Sequence, residues 1–247
     1  MHFTTKGIVL RETDYKDNDR LLTVLTYDRG KLTLRARGVK QKSSRLKGGC
    51  QLLAFSEFVV FENCGFFAIN EAVPKEMFIG LRNDIEKMAL ASYIAQVTEN
   101  LAQENDADPA LLSLCLNSLY ALSALNRSQL LVKAVFEFRA MCQAGYMPDL
   151  SGCSGCGCQD DLWFCTAAGV LLCEECPPAG ETGIRLPVTQ GMLQAMRHIA
   201  QCDMKSVFSF TLSEESQKKL SQLTETYLLI QLERGFFTLD FYKSLII

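Results

Sequence analysis

Two pairs of cysteines carry the clearest chemistry in this sequence. Cys153-Ser-Gly-Cys156-Gly and Cys173-Glu-Glu-Cys176-Pro are Cys-x-x-Cys units separated by 16 residues, a spacing that belongs to four-cysteine zinc sites. Each pair turns back so that both sulfurs face one centre, and a hairpin between the pairs completes a tetrahedron. The intervening residues suit a hairpin. Leu162-Trp163-Phe164-Cys165 and Val170-Leu171-Leu172 are strand-like, Ala167-Ala168-Gly169 lies between them, and Gly157 supplies permissive backbone after the second cysteine. The expected ligands are Cys153, Cys156, Cys173 and Cys176, holding one structural zinc ion. Cys158 and Cys165 are surplus thiols here, and Cys158 is an alternative to Cys156. A redox Cys-x-x-Cys would occur once, at a helix start in a βαβ context. A catalytic zinc would keep an open position with a histidine or carboxylate nearby. Neither pattern fits.

The second feature is electrostatic. Arg29, Lys31, Arg35, Arg37, Lys40, Lys42, Arg45 and Lys47 follow one another with no acidic residue among them, in a chain whose net charge is −3. A basic stripe on an acidic protein predicts a directed binding face for nucleic acid, because the bulk repels phosphates while the stripe attracts them. With the period of a strand, Lys31, Thr33, Arg35 and Arg37 share one face. The stretch from Gly38 to Arg45 has few apolar anchors and reads as a mobile cationic loop, with Ser43 and Ser44 able to add hydrogen bonds to phosphates. No aromatic residue interrupts the run, so base stacking is not expected from it.

The chemistry that is missing narrows the reading further. Only His2 and His198 occur, in unrelated contexts, and no phosphate-binding glycine loop or His-Glu-x-x-His helix is present. Glu174 and Glu175 lie between the proposed ligands and read as exposed. An enzyme is therefore not expected. The chain has 247 residues, 48% of them hydrophobic and 21% charged, which fits one or two globular domains. No apolar run approaches a membrane span, and the first residues lack a secretory core. A cytosolic protein follows, and its 11 cysteines, odd in number, do not suggest a disulfide framework. Cys50, Cys64, Cys115 and Cys202 stand apart and read as small buried hydrophobes.

The elements that must position these residues fall in two blocks. Residues 1–80 read as strands: Thr5 to Arg11, Leu21 to Thr26, Lys31 to Arg37, Phe55 to Glu62, and Gly65 to Val73, with turn chemistry at Asp28-Arg29-Gly30-Lys31 and Asn63-Cys64-Gly65. Five short strands predict a small closed barrel, an OB-fold before an SH3-like one. Residues 81–247 read as a helical domain carrying the zinc module at about 150–180. Asp84 and Asp108-Pro109 are helix starts, a third stripe runs from Leu130 to Met141 and stops at Gly145, and later helices run from Thr189 to Ile199 and from Ser213 to Leu232. The apolar C-terminus, Phe236 to Ile247, is expected to pack on its own domain. The fold class is α+β.

Taken in order, these features resemble the RecO family of bacterial recombination mediators. The resemblance rests on Gly7-Ile8-Val9-Leu10 with Tyr15, Leu21-Leu22 and Thr26 before Gly30, Ala36-Arg37-Gly38-Val39 with Ser44-Arg45, and Phe136-Glu137 with Arg139. Most specific is Gly145-Tyr146-Met147-Pro148-Asp149-Leu150 followed by Cys153-x-x-Cys156-Gly. It implies an N-terminal OB-fold, a helical domain with a four-cysteine zinc module, and a cytoplasmic, nucleoid-associated protein. It further implies binding of single- and double-stranded DNA and annealing of complementary strands. With RecR, such a protein loads RecA onto strands coated by single-stranded-DNA-binding protein, whose acidic tail is an expected partner. The family's basic region maps onto Arg35, Arg37, Lys40 and Arg45. A zinc-ribbon adaptor that recognises protein, without direct DNA binding, is the alternative.

Overall fold

The computed structural model describes every residue except 126, 178–179, 181–182 and 247. Ile247 of the apolar tail and residues 178–179 of the expected metal module thus lie outside the described residues. The chain forms two compact units, Met1–Leu125 with Phe236–Ile247, and Asn126–Gly235. The position expected as a domain boundary, 80/81, falls inside the first helix, Ile79–Arg82, shortly after the strands end at Glu76. The units part later, because the first helices pack with the strands that precede them.

In the first unit, β1 (His2–Tyr15), β2 (Asp19–Thr26), β3 (Gly30–Ala36), β4 (Phe55–Asn63) and β5 (Phe66–Glu76) close a barrel in the order β1-β2-β3-β5-β4. β1 pairs with β4 through its first half and with β2 through its second. A register shift between Val9 and Arg11 lets one strand bend to serve both neighbours. β3 and β5 join in parallel, Leu34 opposite Phe67 and Arg35 opposite Ala68. That join requires the chain to cross over between β3 and β4, which makes a Greek-key barrel of the OB type rather than a simple meander. Val9, Leu22, Val24, Leu34, Phe58 and Val60 fill its interior.

The turn from β4 to β5 is two residues long, with Cys64 at φ 49° and Gly65 at φ 78°. Two successive positive φ angles are what a tight hairpin between twisted strands needs. Outside the barrel lie α1 (Ile79–Arg82), α2 (Ile85–Leu101), α3 (Pro109–Ser123) and, from the C-terminus, the last helix of the chain. The caps read from sequence are made: Asp84 Oδ1 accepts from Lys87 N–H at 3.0 Å, and Asp108 Oδ1 from Leu111 N–H at 2.8 Å.

The second unit holds α4 (Gln129–Gln143), then β6 (Asp149–Cys153), β7 (Leu162–Cys165), β8 (Val170–Cys173) and β9 (Arg185–Val188), then α5 (Gln190–Gln201) and α6 (Glu214–Gln231). Its sheet runs β6-β8-β7-β9. Between α4 and α6, Lys133 Nζ lies 2.9 Å from Glu137 Oε1 and 2.9 Å from Glu225 Oε2, with the Lys133 and Glu137 side chains 2% and 0% exposed. Thr224 Oγ1 donates to Glu137 Oε2 at 2.7 Å. A buried cation and carboxylate persist only with such partners. Arg139 on the same helix donates to the Ile199 carbonyl at the end of α5 at 2.8 Å. α7 (Phe237–Leu245) belongs to the first unit, where it packs on α2 and the Phe236 ring meets Tyr93 edge-on at 5.8 Å. No described helix is long and apolar enough to cross a membrane.

Candidate metal centre and nucleic-acid interface

The four sulfurs of Cys153, Cys156, Cys173 and Cys176 lie within 4.8 Å of one another. β7 and β8 form the expected hairpin, with Leu162 opposite Cys173 and Cys165 opposite Val170. The hairpin delivers the second cysteine pair from the end of β8, and β6 delivers the first from beside it. Thiolates about 2.3 Å from a common centre stand about 3.8 Å apart at tetrahedral angles. The Cys156 and Cys173 sulfurs are 3.7 Å apart, far beyond a disulfide bond. The donor set therefore fits a thiophilic metal ion.

Electrostatics point the same way. Burial opposes the thiolate at Cys153, but N–H groups of Cys173, Cys156 and Gly155 aimed at its sulfur outweigh it and bring the thiol down to about 5. Cys173 is also lowered, against its own desolvation, chiefly by the neighbouring Cys176 thiol. Cys176 is pushed up by the sulfurs of Cys156, Cys173 and Cys153. Four thiols sharing one point cannot all ionise alone, and a bound cation removes that conflict.

Gly155 is needed at the centre, since a Cβ there would meet Cys176 Sγ at 2.8 Å. Gly157, at φ 78°, donates to the Cys153 carbonyl at 2.7 Å and closes the knuckle. Cys158 is outside the four-sulfur cluster. Its thiol is pushed up to about 12 by desolvation and by the Cys156 and Cys173 sulfurs. Cys165 is buried in β7. Of the outlying cysteines, Cys50 and Cys115 are buried as expected, whereas Cys64 is exposed on the β4–β5 turn and Cys202 is half-buried. A turn tip has no core to offer Cys64.

The eight basic residues divide into two groups. Lys31 and Arg35 point outward from β3 with Thr33, as the period predicts. Arg35 Nε and Nη2 lie 2.8 and 2.6 Å from Asp19 Oδ2. Lys40 Nζ is 3.0 Å from Asp14 Oδ2, and Lys31 Nζ donates to the Glu99 carbonyl at 2.9 Å. The Arg29 guanidinium stacks 3.9 Å over the Phe3 ring. Arg37, Lys42, Arg45 and Lys47 are exposed and form no ion pair among the described residues. The segment after β3 is also better anchored than its composition suggests: Val39 and Cys50 are buried in the barrel core, and Leu46 packs against it. Lys40 N–H donates to the Asn18 carbonyl at 3.1 Å, and Ser44 N–H to the Gln41 carbonyl at 3.1 Å. Three apolar side chains spaced along a polar loop give no periodic signal, so they were not legible.

Aromatic residues absent from the basic run reach it through space. On the outer face of the barrel a cleft of about 630 Å³ is bordered by Tyr15, Arg35, Arg37, Phe61, Phe66 and Phe67, among others. These residues come from β1, β3 and its end, β4 and β5. The only local hint is Phe61 and Asn63 alternating outward along β4 opposite Ala68 and Phe66.

Comparison with known proteins settles the family. The family model described as Recombination protein O N terminal matches residues 1–78, and Recombination protein O C terminal matches residues 82–240. The chain belongs to the RecO family. A DNA repair protein RecO of Acetivibrio thermocellus is 32% identical over 246 residues, covering 99% of this chain and 97% of its own length. Another RecO, from Desulforudis audaxviator, is 36% identical over 183 residues, or 72% of this chain and 73% of that one. In RecO terms, the N-terminal match coincides with the barrel, and the C-terminal match contains the four-cysteine cluster.

Proposed function

We propose that this protein is a non-enzymatic DNA repair and recombination mediator. It binds single- and double-stranded DNA, anneals complementary strands and, with RecR, loads RecA onto strands coated by single-stranded-DNA-binding protein, whose acidic C-terminal tail it contacts. Its place of action is the cytoplasm, at the nucleoid. Membership of the RecO family and the name shared by its relatives, DNA repair protein RecO, support this reading. The observation that carries the DNA contact is the concentration of unpaired cations, Arg37, Lys42, Arg45 and Lys47, on one loop of the barrel. Phosphates are bound by such groups without regard to base sequence. Arg29, Lys31, Arg35 and Lys40 complete the basic surface but are already engaged within the fold.

The metal is one zinc ion held by Cys153, Cys156, Cys173 and Cys176. Its role is structural, because four thiolates leave no open position for a substrate. What it supplies is a clamp between the ends of β6 and β8, from which the two cysteine pairs come.

The deciding experiment is annealing of two complementary labelled strands by the purified protein, with salt-dependent binding measured alongside. Faster annealing than the strands show alone is expected. The logarithm of single-strand affinity should fall against that of salt with a slope of about −3, from four cations at roughly 0.7 each. No binding to DNA, or binding without salt dependence, would overturn the reading in favour of a protein adaptor.

A further inference from the structure

We propose that the metal centre carries an oxidation site, at which hydrogen peroxide joins exposed Cys156 to its non-ligand neighbour Cys158 and the zinc ion leaves. The inference rests on the zinc reading above and adds a reaction to a site that otherwise only clamps.

The four ligands are not equally sheltered. Cys153 and Cys173 are 3% and 7% exposed, whereas Cys156 is open to solvent. A bound metal keeps its cysteines as thiolates, and the thiolate is the form that attacks a peroxide. Cys156 is therefore the sulfur that a dissolved oxidant meets first. A fifth thiol stands beside it. Cys158 lies outside the four-sulfur set, yet its Sγ is within hydrogen-bonding distance of the Cys156 and Cys173 sulfurs. A resolving thiol is thus in place without a second ligand having to leave the metal. Between the two cysteines Gly157 sits at φ 78° with open space where a side chain would be, so the backbone is free to turn and bring the sulfurs to bonding distance.

The neck of the knuckle is tied by groups that bind no metal. Arg197 Nη2 on α5 donates to the Leu150 carbonyl at 2.7 Å and to Gln159 Oε1 at 2.9 Å. Gln159 Nε2 in turn donates to the Ser151 carbonyl at 2.7 Å. These bonds hold residues 150–151 against residue 159, on either side of the oxidised pair. The cysteines therefore stay near one another after zinc departs, and reduction restores the site.

The oxidation proceeds in two steps. The Cys156 thiolate attacks one peroxide oxygen, the O–O bond breaks, hydroxide leaves and a sulfenic acid forms on Cys156. The Cys158 sulfur then attacks the sulfenic sulfur, the S–O bond breaks, and the Cys158 proton departs with that oxygen as water. The two sulfurs supply the two electrons that reduce the peroxide. Three thiolates remain for the metal, and its hold weakens.

The test titrates the full-length, zinc-loaded protein with hydrogen peroxide. A chromogenic chelator too weak to strip the untreated site reads zinc release, and differential alkylation with mass spectrometry maps the disulfide. Wild type should release about one zinc for each Cys156–Cys158 disulfide formed, and dithiothreitol with added zinc should reload it. Cys64→Ser, which removes the exposed thiol of the β4–β5 turn, should behave as wild type. Cys158→Ser should start zinc-loaded and stop at a Cys156 sulfenic acid that dimedone traps. Without dimedone it should pass to the sulfinic acid, and zinc should then fail to reload after reduction. A disulfide between two ligands with Cys158 still free would overturn the inference. Cys158→Ser releasing and reloading zinc as wild type does, or zinc retained after Cys64 has been oxidised, would overturn it as well. Absence of zinc from the untreated protein would instead remove the metal reading beneath it, and the disulfide map would still decide the thiol pair.

Discussion

Arg35 and Asp19 form the hinge pin of the basic face. Both Nε and Nη2 of Arg35 converge on Asp19 Oδ2, at 2.8 and 2.6 Å, while Asp19 Oδ1 accepts from Gly38 N–H at 2.8 Å. One carboxylate at the start of β2 thereby ties the end of β3 to the first turn of the cationic loop. Asp14 does the same for Lys40 and also for Arg20, at 3.0 and 3.2 Å. The β1–β2 hairpin thus neutralises part of the stripe that follows it and aims the remainder.

Replacing Asp19 with Asn should loosen this arrangement in a pH-dependent way. The Gly38 N–H and then Arg35 hold the Asp19 carboxyl below its ordinary value. A lowered folded-state pKa contributes stability that is fully present above the unfolded value, about 3.9, and is lost as pH falls through the folded one. Urea unfolding at pH 7 should show Asp19→Asn less stable by about 1 kcal/mol. The gap should close progressively as the pH is taken below about 4. A gap of constant size across that range would exclude the carboxylate as its source.

The two groups of cations should behave differently when removed. Arg37→Ala, Lys42→Ala, Arg45→Ala and Lys47→Ala should each flatten the salt slope of single-strand binding by about 0.7, with folding unchanged. Lys31→Ala should change that slope little and instead lower the melting temperature, because its ammonium group serves the Glu99 carbonyl on α2. Binding isotherms at several salt concentrations, together with thermal melts, separate the two outcomes.

The buried network of Lys133, Glu137, Glu225 and Thr224 makes a stability prediction. Lys133→Met leaves the Glu137 carboxylate inside the helical unit with its cation gone. Removing one partner of a buried pair costs about 3–5 kcal/mol. Chemical denaturation should show that loss. The double variant Lys133→Met with Glu137→Leu should recover part of it, because no charge at that pair is then stranded.

Metal content should follow the cluster and not the count of cysteines. Elemental analysis of protein purified without chelators should find about one zinc per chain in the wild type and in Cys158→Ser. Cys156→Ser should lose it, and so should Gly155→Val, whose side chain would push into the Cys176 sulfur. Chelation should change the fluorescence of Trp163, the only tryptophan, which lies on β7 of the clamped hairpin. Stoichiometric zinc in Cys156→Ser with none in Cys158→Ser would reassign the fourth ligand.

Features set by neighbours along the chain were legible in the sequence. The Cys-x-x-Cys spacing fixes which sulfurs can share a centre, the aspartates at 84 and 108 reach N–H groups three residues ahead, and β3 alternates as its side chains must. Phe136-Glu137 with Arg139 was legible as a family pattern, though not as a buried ion network with a carbonyl clasp. What the tertiary structure alone decided concerns groups brought together across the fold. Arg35 is matched with an aspartate 16 residues earlier, and Lys133 with Ser221, 88 residues later. Tyr15 and Phe66 flank one cleft only because the β3–β5 join closes the barrel between them. Charge and ring pairings of this kind fall off over a few ångströms through space. Sequence separation does not set that distance; the closing of the sheet does.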